Sequence, residues 1–131
     1  RAFRIPSLEE RPAPPVPHRL VLSPNGALAA VVESESVRIL NASTMAELRR
    51  LPGGHCAAFS PDGAFVAIGT SGPRPISLYR VEDGRFLQTL GVAGFTYEIG
   101  SWIQGVAFFP DGNGLAASQT EGRILLYKRE K

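Results

Sequence analysis

The sequence predicts an all-β fold built from repeated four-stranded antiparallel sheets, and three recurring features carry that prediction. A short phrase is spelled three times: Leu22-Ser23-Pro24-Asn25-Gly26, Phe59-Ser60-Pro61-Asp62-Gly63 and Phe108-Phe109-Pro110-Asp111-Gly112. An apolar run follows each at once: Leu28-Ala29-Ala30-Val31-Val32, Phe65-Val66-Ala67-Ile68 and Leu115-Ala116-Ala117. A further run begins eleven to thirteen residues past each glycine: Val37-Arg38-Ile39-Leu40, Ile76-Ser77-Leu78-Tyr79 and Ile124-Leu125-Leu126-Tyr127. Recurrence in fixed order marks stacked supersecondary units. No segment sustains a helical period.

Each element has a local reason. Within the phrase, Pro presets φ for a turn, Asp or Asn bonds its own backbone, and Gly accepts positive φ without a Cβ clash. An apolar run, such a turn and a second apolar run make a β-hairpin. The strand before the turn is narrow, as in Cys56-Ala57-Ala58-Phe59 or Val106-Ala107-Phe108. The strand after it is apolar at nearly every position, which suits cover on both faces. The third alternates and predicts one wetter face. A fourth is expected at Leu48–Leu51 and at Phe86–Leu90, the latter after a Glu82-Asp83-Gly84 turn, and Asp-Gly between apolar runs is a strong hairpin signal. Met45, Leu48 and Leu51 fall at three-residue spacing, so a helix over 42–51 is the competing reading; turn plus strand is preferred.

Successive phrase prolines lie 37 and 49 residues apart, the longer interval arising from extra residues between Gly91 and Gly105. Units follow: outer strands of a preceding partial unit or a linker at 1–18, full units at 19–55 and 56–93, an insertion at 94–105, and an incomplete unit at 106–131. Phe3-Arg4-Ile5-Pro6 occupies a third-strand slot before the first phrase. The stretch 11–18 carries Pro12, Pro14, Pro15 and Pro17, which restricts it to an edge or a linker.

On these phrases, runs and distances the chain resembles the WD-repeat β-propeller family, from about Phe3 to Lys128. At the positions where that family ends its third strand in Trp-Asp, this chain has Leu40-Asn41, Tyr79-Arg80 and Tyr127-Lys128, so the repeats are degenerate. Gly54-His55 stands too close to Phe59 to match the family's Gly-His placement. The resemblance implies a partial β-propeller of about three four-stranded antiparallel blades. Closed rings have about four to eight. Three completions are expected: a larger propeller of which this is a C-terminal part, a ring shared with another chain, or self-association of two copies. Left open, the sheet edges and an apolar blade face invite aggregation.

Composition narrows the function classes. With 44% hydrophobic and 20% charged residues, the 131-residue chain reads as a soluble globular domain with a real core. Its longest apolar runs are about five residues, against the roughly 20 of a spanning helix, which argues against a membrane segment. The chain begins at Arg1 with no visible secretory leader, as expected of a processed protein or excised fragment. Cys56 is the single cysteine, which leans toward a reducing, cytoplasmic or nuclear, compartment. The net charge of +2 is small and the arginines are scattered, which argues against a nucleic-acid groove.

Catalytic, cofactor and metal sites are not expected. Asp62, Asp83 and Asp111, the only aspartates, all stand directly before Gly in predicted turns. Glu33 and Glu35 flank a turn with Ser34 and Ser36, a solvated pair with no reason for split pKa values. His18 and His55 each lie eight residues before a phrase glycine, with Gln104 in the third slot; a strand-entry hydrogen bond or a rim contact is expected there. A shared metal site lacks further ligands. Cys56 beside His55 would point to the opposite face of a strand, so it reads as a small buried hydrophobe.

The 91–105 connection carries the sharpest expectation. Phe95, Tyr97 and Trp102 lie between one unit's outer strand and the next unit's inner strand, a connection that emerges on a propeller rim. They are candidate partner contacts, with His18 and His55 beside them; packing back onto the blades is the equal alternative. The function expected is a non-catalytic protein–protein interaction scaffold, within a complex whose ring another chain or copy completes. The alternative is a regulatory segment attached to a catalytic or signalling domain absent from this chain.

Overall fold

The computed structural model describes residues 19–33, 36–71, 74–91, 102–120 and 122–128. All regular structure among them is strand. A first sheet comprises β1 (Arg19–Leu22), β2 (Leu28–Val32), β3 (Ser36–Asn41) and β4 (Glu47–Pro52), neighbouring in that order. A second repeats it with β5 (Cys56–Phe59), β6 (Phe65–Gly69), β7 (Ile76–Arg80) and β8 (Phe86–Leu90). A third has β9 (Ile103–Phe108), β10 (Gly114–Gln119) and β11 (Ile124–Lys128). All pairings are antiparallel. The chain is therefore an all-β partial propeller, each sheet a blade with its first strand innermost.

The phrase folds the same way in the first two blades, down to single atoms. Gly26 and Gly63 adopt φ of 77° and 76°, and their N–H groups donate to the Ser23 and Ser60 carbonyls at 2.9 Å. The Ser23 and Ser60 hydroxyls donate to Asn25 and Asp62 Oδ1 at 2.6 and 2.7 Å and accept from the Leu28 and Phe65 N–H at 3.0 Å. Those same Oδ1 atoms accept the Ala27 and Ala64 N–H at 3.0 Å. A buried serine is thus satisfied twice, which is why it tolerates burial. The third phrase keeps the Gly112 turn, φ 74°, and the Asp111 acceptor, but Phe109 stands where the serine was. Gly114 compensates: a Cβ there would meet the Phe109 ring at 3.1 Å and run into the Tyr127 carbonyl.

The outer hairpins solve one geometry by two chemistries. In blade 1, Asn41 Oδ1 accepts the Ser43 and Thr44 N–H at 2.9 and 3.0 Å, and Met45 takes the left-handed position at φ 63°. In blade 2, Gly84 takes that position at φ 73°, and Arg80 and Asp83 close the turn with a two-pronged ion pair at 3.1 and 2.6 Å. The turn-plus-strand reading of 42–51 is correct and the helix is absent.

Two hydrophobic junctions form between the blades. Ala30, Val32, Val37, Ile39 and Leu51 of blade 1 pack on Ala57, Phe59, Val66, Ile68 and Tyr79 of blade 2. Cys56, Ala67 and Ile76 on the other face of blade 2 pack on Ile103, Leu115 and Ala117 of blade 3. Three expectations need adjusting. The inner strand of the third blade starts at Ile103, three residues before Val106, because the Ile103 N–H donates to the Thr70 carbonyl at 2.9 Å and extends the strand toward blade 2. The strand after the third phrase is deeply buried on one face only, at Leu115, Ala117 and Gln119. The third strand of that unit alternates in exposure as expected, yet two of its exposed residues are the apolar Ile124 and Leu126.

Candidate functional site

Antiparallel order places every phrase turn and both outer hairpin turns at one rim. The opposite rim collects the ends of β4, β6, β8 and β10 and the starts of the strands after them. Two of the five expected contact residues, His55 and Trp102, lie on this second rim within the described residues. His18, Phe95 and Tyr97 lie outside them.

The structure brings His55 and Trp102 together. Their ring centroids stand 5.5 Å apart with planes inclined at 39°. His55 is exposed and Trp102 is 38% exposed. His55 precedes β5, whereas Trp102 precedes β9, so the pair straddles the junction of blades 2 and 3.

The backbone beneath the rings is tightly tied. His55 N–H donates to the Gly69 carbonyl at 2.7 Å, a main-chain bond that does not involve the imidazole. Ser71 and Trp102 form an antiparallel bridge, and the Trp102 carbonyl accepts the Thr120 N–H at 3.1 Å. Trp102 N–H in turn donates to Thr120 Oγ1 at 3.4 Å. The close approach has a sequence cause: a Cβ at Gly69 would come within 2.6 Å of both Cys56 Sγ and Ile103 Cγ2. From blade 1, Arg19 Nη1 reaches the Gln104 carbonyl at 2.8 Å, so all three blades feed this rim. Strand-borne backbone holds the two rings, which is the rigidity a contact surface needs.

The arrangement offers a partly exposed aromatic face, an imidazole and nearby hydroxyls of Thr70, Ser71 and Thr120. Beneath it Cys56 is buried, its thiol 3.7 Å from the Ile103 carbonyl and pushed up in pKa by burial. That environment disfavours a thiolate nucleophile. No group of three or more His, Cys, Asp or Glu among the described residues is placed to hold a metal ion. No helix among them is long and apolar enough to cross a membrane. From the sequence, Gly69-Thr70-Ser71-Gly72 reads only as a turn between strands, and Arg19 and Thr120 have no site role there. Their types are ordinary on surfaces, and only packing of one blade on the next brings Thr70 and Ser71 to Trp102 and Thr120.

No family model matches this chain, and no curated protein sequence does. Solved structures do. The chain is similar to Kuenenia stuttgartiensis hydrazine synthase, with 19% identity and a TM-score of 0.64 over 88% of this chain and 32% of that one. It is also similar to the Cps50 (Swd1) β-propeller domain of Myceliophteria thermophila, with 16% identity and a TM-score of 0.66 over 86% of this chain and 35% of that one. The chain thus spans about a third of the length of these two neighbours. At such identities the likeness is one of fold, and that fold is a partial β-propeller.

Proposed function

We propose that the chain is a degenerate WD-repeat propeller segment that serves as a non-catalytic, intracellular scaffold for protein contact, its ring completed by another chain or copy. The observation that carries the reading is the convergence of His55 and Trp102 on one rim over a backbone-tied junction. Partly exposed, rigidly held aromatics are the common anchors of protein interfaces. Turn phrases and strand spacing support the WD-repeat assignment, with Asn41 capping the turn where the family's aspartate would stand.

Trp102→Ala tests the contact. Immobilised chain should retain a protein partner that both Trp102→Ala and His55→Ala release, with about 2 kcal/mol lost for the indole and melting unchanged. Lowered melting with retained binding would assign these rings to packing and overturn the reading. A second reading, regulation of an attached catalytic or signalling domain, draws support from the fit of this chain to a third of a protein bearing an enzyme's name.

A further inference from the structure

The two rims differ in charge. Among the described residues, the carboxylates of Glu47, Asp62, Glu82, Asp83 and Asp111 all stand at the rim of the phrase turns and outer hairpins. The opposite rim, which carries His55 and Trp102, has Arg19, Arg74 and Arg123 at or just before strand starts and one described carboxylate, Glu33. Glu33 is already engaged: its Oε1 accepts the Ser36 hydroxyl at 3.0 Å, and its Oε2 meets Arg38 Nη1 at 3.5 Å. Arg74 is turned to the fourth strand of blade 2, donating to Thr89 Oγ1 and the Thr89 carbonyl at 2.7 and 2.8 Å. Arg123 stands on the outer part of the rim, before β11. Arg19 is the cation that reaches the strand entries of the aromatic pair.

Its placement follows from strand register. Arg19 opens β1 opposite Val32, which turns it to the face that meets blade 2. From there its Nη1 donates to the Gln104 carbonyl of blade 3 at 2.8 Å, two residues past Trp102. The guanidinium thus spans the entry of β5, the strand that His55 precedes. Burial pushes the Cys56 thiol up, while the Gly69 backbone and the Arg19 charge oppose that rise, which puts the charge within reach of this entry. Among the described residues the bond to Gln104 is the only hydrogen bond of the Arg19 side chain, which is exposed. A guanidinium carries five N–H donors in a rigid fork, so most of them remain free to meet a ligand.

We infer that the mouth formed by Arg19, His55 and Trp102 binds an acidic protein segment, with an aspartate or glutamate carboxylate on Arg19 and an apolar side chain against Trp102. The inference rests on the scaffold reading and names the chemistry of its partner. A carboxylate matches the guanidinium fork with two parallel charge-assisted hydrogen bonds, which an uncharged amide cannot reproduce. The indole beside it supplies the apolar body that makes tryptophan a common anchor. Charge also selects the rim: the arginines here attract an acidic segment as it approaches, and the five carboxylates of the other rim repel it. A nucleic acid suits the site less well, because one aromatic shelf and scattered guanidinium groups do not track a phosphate backbone.

Panning a random dodecapeptide library on the immobilised 131-residue chain tests it. The expected binders carry Asp or Glu close to a large apolar side chain. For the tightest binder, Arg19→Gln should weaken affinity about tenfold or more, the scale of a charge-assisted hydrogen bond, with unchanged circular dichroism. Arg19→Lys, keeping the charge without the fork, should lose less. Changing the peptide's acid to its amide should cost as much on the wild-type chain and nothing further on Arg19→Gln. Arg85→Gln, at an exposed position of the opposite rim, should leave affinity as it is. Binders without acidic residues, acidic binders indifferent to Arg19→Gln, or tighter binding of a single-stranded oligonucleotide would overturn the inference. Neutral binders released by Trp102→Ala would overturn it and leave the scaffold reading intact. Acidic binders that need Arg19 but tolerate both Trp102→Ala and His55→Ala would uphold the carboxylate seat and overturn the aromatic anchor.

Discussion

The two junctions between blades are held by different means. Blades 1 and 2 meet through large side chains on both sides, Ile39, Leu51 and Val37 against Phe59, Val66 and Tyr79. At their outer edge the Arg49 guanidinium donates to the carbonyls of Val81, at 2.9 Å, and Glu82. Blades 2 and 3 meet through backbone as well. Gly69 lets Ile103 come close enough for its N–H to bond Thr70, and the Ser71–Trp102 bridge extends the contact to the rim. Bulk makes the first junction and proximity the second. The rim pair stands over the second, where strand-to-strand bonds fix the geometry without occupying the side chains.

Trp102, the only tryptophan, makes this difference measurable, because its emission reports on the second junction alone. The largest effect is expected from Phe59→Ala, about 4 kcal/mol of lost stability for a buried aromatic, with native Trp102 emission unchanged below the transition. Gly69→Ala should cost about 3 kcal/mol through overpacking and should also shift that emission as Ile103 is pushed away. Equal spectral effects from the two would erase the distinction between the junctions. Arg49→Ala removes two hydrogen bonds near the surface and should cost about 1 kcal/mol in chemical denaturation, again with unaltered emission.

The smallest effect concerns the hairpin that Arg49 grips. The Arg80 guanidinium, and after it the Arg85 N–H, hold the Asp83 carboxyl well below the usual carboxylate range. A carboxyl lowered in the folded state stabilises above its unfolded value, about 3.9, and that contribution fades as pH falls through the folded value. The denaturation midpoint should therefore decline slightly below about pH 4, and Asp83→Asn should flatten part of that decline. Full exposure to solvent keeps the effect small. An Asp83→Asn profile that coincides with wild type would remove the ion pair from the account of this hairpin.

Local chemistry made most strands legible. Phe86–Leu90 is the strand expected, because Asp-Gly turn and apolar run coincide, and Ile76 and Ile124 open their strands where the spacing places them. The start of β9 was not legible, since Ile103-Gln104-Gly105 joins the strand only through its bond to a neighbouring blade. Nor was the exposure of Ile124 and Leu126, whose apolar character is that of buried equivalents in the other blades.

The rim pair divides the same way. That His55 enters an inner strand followed from its repeat position, eight residues before a phrase glycine, whereas Trp102 falls in the stretch expected as an insertion. That their rings stand 5.5 Å apart did not follow from it. By itself the amino-acid order determined the turns, the strands and their antiparallel neighbours, since these depend on φ preferences and alternation within a few tens of residues. Only the tertiary structure decided which faces meet, how closely, and which remain bare. Those outcomes depend on the volumes of side chains far apart in the chain, such as the missing Cβ at Gly69 set against Ile103.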